Sequence, residues 1–151
     1  QWTKPTCIHT PMLSGLKGPG GRMDSFDHKM SKSDPENAIL LDDDSESIRT
    51  KIRKSFLDVG NDKSPIFEIS QHVIMPKLGK VVVSPDPKYG KPSEWTDQQQ
   101  FVDAVSNGEI HPLDAKMAVA DALFEVLEPI SQHFSDKQDL IESINSISGK
   151  S

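Results

Sequence analysis

The sequence predicts a mainly α protein: a helical bundle over residues 45–151, preceded in residues 1–44 by one short strand and a basic loop. Three observations carry that prediction. Apolar residues recur every three or four positions in about five blocks, the spacing that gives a helix one buried face. Proline, glycine and N-capping side chains stand at the ends of those blocks. β-Branched runs are confined to two short stretches, residues 4–10 and 80–83.

Residues 4–10, Lys-Pro-Thr-Cys-Ile-His-Thr, bounded by Pro5 and Pro11, read as one strand of a sheet whose other strands the sequence does not contain. A single strand is not stable by itself. Cys7 is then a small buried apolar residue. His9 reads as a strand-end histidine rather than a ligand, since no second His, Cys or carboxylate pair stands at ligand spacing. Met12, Leu13 and Leu16 are expected to pack beneath the loop that follows.

Asp43 with Glu46 three residues later makes a capping-box pattern for the first helix. A metal site at Asp42, Asp43 and Asp44 is the alternative, but adjacent residues do not face one another on a helix or strand, which favours the cap. Ile48, Ile52 and Phe56 face the core. Arg49, Lys51, Arg53 and Lys54 cover the rest, either as a solvated face or as a contact for nucleic-acid phosphates. Ser64-Pro65 opens the next helix, with Ile66, Ile69 and Val73 inward and Pro76 at its end. Lys80 to Val83 is a short strand or an extended link. Ser84 to Ser93, with three prolines and Gly90, is a loop from which Tyr89 projects. Thr96 caps a helix burying Phe101, Val102 and Val105 that stops near Asn107-Gly108. Pro112 starts the longest helix, with Val119, Leu123, Val126, Leu127 and Ile130 inward and a kink expected at Pro129. Ser135 with Gln138 begins a last helix on Leu140, Ile141, Ile144 and Ile147, closed by Gly149.

The formal charge of −6 argues against a generic polyanion binder, yet the charge is uneven. Residues 1–33 carry five Lys/Arg against two Asp/Glu, residues 34–47 six acids and no base, and residues 48–64 five bases against two acids. Two local basic patches therefore survive inside an acidic protein. With a single cysteine, the 151 residues can form neither an intrachain disulfide nor a Cys-based zinc site, and a reducing compartment is expected. No apolar run approaches transmembrane length and no charged-then-apolar leader is visible, so neither membrane nor export is expected. The chain opens on Gln1, as a piece of something longer would.

The densest functional signal is Asp27-His28-Lys29-Met30-Ser31-Lys32-Ser33-Asp34. Two lysines three apart put two ammonium groups on one short segment, and Ser31 and Ser33 add hydroxyl donors. Four glycines in Gly15 to Gly21 precede it and Pro35 bounds it. Such a loop suits binding a polyphosphate and closing on it as charge develops.

Lys29-Met-Ser-Lys-Ser33 is the signature pentapeptide of class I aminoacyl-tRNA synthetases. The sequence resembles the C-terminal portion of tyrosyl-tRNA synthetases of the archaeal and eukaryotic kind. The resemblance rests on Pro11-Met-Leu-Ser-Gly-Leu-Lys17, His28 to Ile39, Asp42-Asp-Asp into Ile48-Arg-Thr-Lys-Ile52, and Gly108-Glu-Ile-His-Pro-Leu-Asp-Ala-Lys116. The last stretch is more like the tyrosyl than the tryptophanyl enzymes. Gly18 to Asp27 is longer than the family's usual link into the signature.

The resemblance implies the last strand and signature loop of a class I Rossmann catalytic domain in residues 1–44, then a helical anticodon-binding domain in residues 45–151. It implies that Lys29 and Lys32 bind ATP phosphates and stabilise departing pyrophosphate, with Met30, Ser31 and Ser33 shaping the loop. It assigns His111, Pro112 and Asp114 to anticodon reading and Tyr89 to stacking on the first anticodon base; from the residues alone, Tyr89 either packs back on the surface or stacks. The implied substrates and cofactors are ATP, Mg2+, tyrosine and tRNA(Tyr), in a cytoplasmic enzyme that is a homodimer at full length. The sequence holds no His-x-Gly-His element and no tyrosine pocket, so this chain by itself is expected to be inactive. Two alternatives are a non-catalytic tRNA- or partner-binding module with this fold and a tryptophanyl-type enzyme.

Overall fold

A computed structural model of the chain describes residues 4, 6–18, 29–41, 43–135, 137 and 143. It is helix-rich, with one two-stranded ribbon. The elements run in order as a 3-10 turn Pro35–Asn37, α1 Ser45–Lys54, α2 Pro65–Ile69, a π-helical turn Ser70–Ile74, α3 Met75–Leu78, β1 Val81–Val83, β2 Ser93–Trp95, α4 Gln98–Ser106 and α5 Pro112–Ser135.

Helix α1 buries Ile48 and Ile52, four residues apart, against α5. Each fully buried isoleucine contributes about 2–3 kcal/mol. Its cap is Asp44, whose Oδ1 accepts from the Ser47 N–H at 2.7 Å, one residue beyond the expected Asp43. Asp43 is otherwise engaged: Oδ2 accepts from the Leu40 N–H, and both carboxylate oxygens accept from Lys51 Nζ at 2.6–2.7 Å. That pair is only 11% exposed on either side. Asp42 lies outside the described residues. Phe56, expected inside, follows the end of α1 and is partly exposed.

The segment from Pro65 to Leu78 departs most from expectation. Pro76 does not end it. Pro lacks the N–H and clashes with the carbonyl four residues back, and the chain widens into a π-helical turn just before it. The helix then runs one more turn to Gly79, whose φ of +74° is the left-handed cap only glycine takes without strain. The extra residue in that turn moves the buried position from the expected Val73 to Ile74, five after Ile69.

Of Lys80 to Val83, read as a short strand or an extended link, residues 81–83 form a strand that pairs antiparallel with 93–95 in the register Val81 to Trp95 and Val83 to Ser93. Asp97, not Thr96, caps α4, accepting from the Gln100 N–H at 2.9 Å. Helix α4 buries Phe101, Val102, Ala104 and Val105. Phe101 meets Phe67 of α2 edge to face, with ring centroids 6.0 Å apart. Helix α5 continues through Pro129 to Ser135, and its buried face is alanine-rich: Ala115, Ala118, Val119, Ala120, Ala122 and Leu123. Small side chains let α1 and β1 approach its axis closely. Val126 and Leu127 are half-buried and Ile130 is exposed, so the inward stripe fades sooner than expected. Ser135 is the last residue of α5. Of the expected last helix, Ser143 is helical, while Gln138, Leu140, Ile141, Ile144, Ile147 and Gly149 lie outside the described residues.

Residues 4 and 6–10 form no strand. Among the described residues they have no partner strand to satisfy their backbone groups. Ile8 is 87% exposed, Met12 64%, and Cys7 is exposed where burial was expected. Leu16, in contrast, joins the core with Ile48 and Ile52. No helix among the described residues is long and apolar enough to cross a membrane.

Candidate functional site

The signature segment sits on a base tied down at several points. Ser14 forms an isolated antiparallel bridge with Lys29, and the Met30 N–H donates to the Leu13 carbonyl at 3.3 Å. Ser14 N–H in turn donates to Glu68 Oε2 of α2 at 2.8 Å. On the far side, Asn37 clamps the lead-in: its carbonyl accepts from the Leu16 N–H at 3.0 Å and its Oδ1 from the Lys17 N–H at 2.7 Å. A side chain at Gly15 would collide with Asn37, so glycine is required for this approach. Lys17 Nζ pairs with Asp34 Oδ2 at 2.8 Å across the segment. Asp27 and His28 lie outside the described residues.

Within that frame the Ser31 and Ser33 hydroxyls are 2.8 Å apart, and the Asp34 N–H closes a turn on the Ser31 carbonyl at 3.1 Å. Met30 is half-buried against the core and anchors the middle of the segment. Lys29 and Lys32 are exposed, and neither pairs with a carboxylate among the described residues. The result is a braced turn carrying two unneutralised ammonium groups, one apolar anchor and two hydroxyls. Such a set can bind a polyanion by charge-assisted hydrogen bonds.

A separate group of predicted residues comes together at the ribbon. Tyr89, His111 and Asp114, from positions up to 25 apart in sequence, line one cleft of about 350 Å³ with Lys91, Trp95 and Glu109. Tyr89 ends a turn in which its N–H donates to the Asp86 carbonyl at 2.7 Å and the Lys88 N–H to Asp86 Oδ1 at 2.9 Å. The ring is 84% exposed, so the turn presents it instead of folding it back. His111 precedes α5: its carbonyl accepts from the Ala115 N–H at 3.1 Å and its Nδ1 from the Leu113 N–H at 3.2 Å. The cap therefore requires an unprotonated Nδ1. Pro112, the first residue of α5, fixes the backbone between His111 and Asp114 and does not itself line the cleft. Asp114 lies in the first turn, half-buried.

Sequence reasoning missed Trp95, Lys91 and Glu109 at this cleft. Three residues of strand are too short for a period-two pattern, so the ribbon that brings Trp95 opposite Val81 left no periodic trace. A tryptophan six residues after Tyr89 was the available signal. The basic face of α1 proves partly committed. Arg49 makes a bidentate pair with Asp121 of α5, Nε to Oδ1 at 2.6 Å and Nη2 to Oδ2 at 2.7 Å, and Lys51 is held by Asp43. Lys116 of α5 donates to the Ser55 and Arg53 carbonyls at 2.6 and 3.2 Å, closing the end of α1, and partial burial pushes its ammonium below the usual lysine range. No group of three His, Cys, Asp or Glu side chains among the described residues is placed to hold a metal ion.

A profile of the family described as tRNA synthetases class I (W and Y) matches residues 1–128. The chain belongs to that family. Its relatives narrow the similarity to tyrosine enzymes. Over 157 aligned residues it is 36% identical to the tyrosine–tRNA ligase of Aeropyrum pernix, covering 97% of this chain and 43% of that protein. The crystal structure of tyrosyl-tRNA synthetase from Aeropyrum pernix superposes with a TM-score of 0.75 at 32% identity, over 94% of this chain and 39% of that one. The Archaeoglobus fulgidus tyrosyl-tRNA synthetase complexed with L-tyrosine gives 0.70 at 37% identity, over 84% and 37%. The chain thus spans less than half the length of the curated relatives it matches.

Proposed function

We propose that this chain is the C-terminal part of a tyrosine–tRNA ligase, supplying the lysine loop that acts on ATP and the surface that reads the anticodon of tRNA(Tyr). The division at residues 44 and 45 separates those two tasks, with residues 1–44 completing a Rossmann catalytic domain. The observation that carries the reading is the convergence of Tyr89, His111 and Asp114 on one cleft with no residue shared with the Lys29 to Ser33 turn. Its whole-chain similarity to tyrosine–tRNA ligases supports the tyrosyl over the tryptophanyl reading.

In tyrosine activation, the tyrosine carboxylate attacks the α-phosphorus of ATP and pyrophosphate leaves. Charge builds on the β- and γ-phosphates as the bond to the α-phosphate breaks. Lys29 and Lys32 neutralise that charge, Ser31 and Ser33 hydroxyls donate to the same oxygens, and Met30 holds the turn to the core. Mg2+ arrives with the nucleotide, and the chemistry assigned to the two lysines requires no protein-held metal.

In the cleft, Tyr89 stacks on an unpaired anticodon base, Asp114 accepts from an amino or imino group on its edge, and His111 with Pro112 holds the start of α5 in register with it. Full-length activity requires the tyrosine pocket and the catalytic half, so the isolated chain is inactive. The assembled enzyme acts in the cytoplasm as a homodimer.

The test is tyrosine-dependent pyrophosphate exchange after supplying the missing catalytic half. Exchange is expected to return, and Lys32→Ala is expected to lower its kcat on the order of a hundredfold with little change in tyrosine affinity. Normal exchange in that variant would remove the loop from the mechanism.

A further inference from the structure

We propose that Trp95 is a second base-contacting surface, so that the cleft takes two adjacent unpaired nucleotides of an RNA loop instead of one. The inference rests on the reading of the cleft as an RNA site and extends it to a residue that reading does not use. Tyr89 and Trp95 reach the same cleft from different supports. Tyr89 stands on a turn and is almost fully exposed. Trp95 is fixed: it pairs with Val81 in the ribbon, packs against the core, and its indole N–H donates to Ser93 Oγ at 3.0 Å. With that donor satisfied inside the cleft wall, the ring offers a ligand stacking area and no unpaired polar atom. Every base has a π-face, so a second aromatic wall recognises a second base whatever its edge.

Size and charge agree. A cleft of about 350 Å³ falls in the range that encloses a drug-sized ligand, more than one planar base needs. Lys91, between the two aromatics in sequence, is the one Lys or Arg among the lining residues and has no carboxylate partner among the described residues. Its ammonium suits the phosphate that joins two neighbouring nucleotides. Glu109 and Asp114 repel a phosphate and accept from base amino or imino groups, which orients the bases inward and the backbone toward Lys91.

The test uses the full chain with Trp2→Phe, which leaves Trp95 as the sole tryptophan. Its emission is followed during titration with an RNA hairpin carrying the tRNA(Tyr) anticodon loop, and with hairpins in which one loop nucleotide at a time is abasic. Binding is expected to quench Trp95. One abasic position should abolish the quenching, and a different one should erase the roughly five- to hundredfold effect of Tyr89→Ala on affinity. Saturable binding that Tyr89→Ala weakens, with Trp95 emission unchanged, would make Trp95 a structural wall and overturn the inference alone. Loss of both signals at a single abasic position would mean one nucleotide and also overturn it. Failure of every hairpin to bind would overturn the RNA reading itself and this inference with it.

Discussion

Tyr89 makes no core contact, so replacing it tests recognition without disturbing the fold. Lys32 has the same advantage at the other site, being exposed and unpaired with any carboxylate among the described residues. At this scale the sequence was most informative: the order Lys-Met-Ser-Lys-Ser is legible without coordinates, and so is the His-Pro-x-Asp pattern at the start of α5. Which carboxylate caps α1 was not legible. Asp43 and Asp44 are chemically identical, and the choice depends on Lys51 and the Leu40 N–H drawing Asp43 away. The Ser47 hydroxyl and, next, its backbone N–H hold the Asp44 carboxyl below its ordinary value of 3.8. A depressed folded value means that the stability this carboxylate contributes is fully present above the unfolded value and is lost as pH falls through the folded one. The difference in thermal stability between the native chain and Asp44→Asn should therefore be constant above about pH 5 and shrink only below about pH 4. A difference that titrates near neutrality would point to another group.

Among the elements, the lead-in to the lysine turn depends most on backbone conformation. Gly18 has φ of +71°, and a Cβ there would enter the ring of Phe56. Gly18→Ala is expected to cost at least about 1 kcal/mol in chemical denaturation, since it adds both backbone strain and a collision. An unchanged midpoint would show that the lead-in does not share the cooperative unfolding of the core. Capping gives a second check: Asp97→Ala should cost about 1 kcal/mol by freeing the Gln100 N–H at the start of α4. Element type was largely readable from spacing, while continuity was not. Pro76 reads locally as a terminator, and only a widened turn lets the helix pass it. Residues 4–10 read as a strand by composition, but strand formation is a property of pairs, and no partner occurs among the described residues.

Across the whole molecule, one buried cluster joins Leu16 of the lead-in, α1, α2, β1, α4 and α5. The lysine turn and the ribbon cleft are thus supported by the same core, which explains how two sites hold fixed geometry in a chain with few aromatics. Phe101→Ala, which removes a fully buried ring packed on Phe67, should destabilise the fold by about 3–5 kcal/mol. The Arg49–Asp121 pair is about half-exposed on both sides, and its removal should cost less than about 1 kcal/mol despite its bidentate geometry. The alanine face of α5 escaped sequence reading because alanine suits any helix position, so its burial leaves no pattern.

The most direct test of the account is the affinity of the 151-residue chain for the anticodon stem-loop of tRNA(Tyr), measured for the native protein and Tyr89→Ala at one fixed salt concentration. The account predicts specific binding that the substitution weakens by about 1–3 kcal/mol, with unfolding unchanged. Equal affinity in the two proteins, or equal affinity for an unrelated stem-loop, would contradict it.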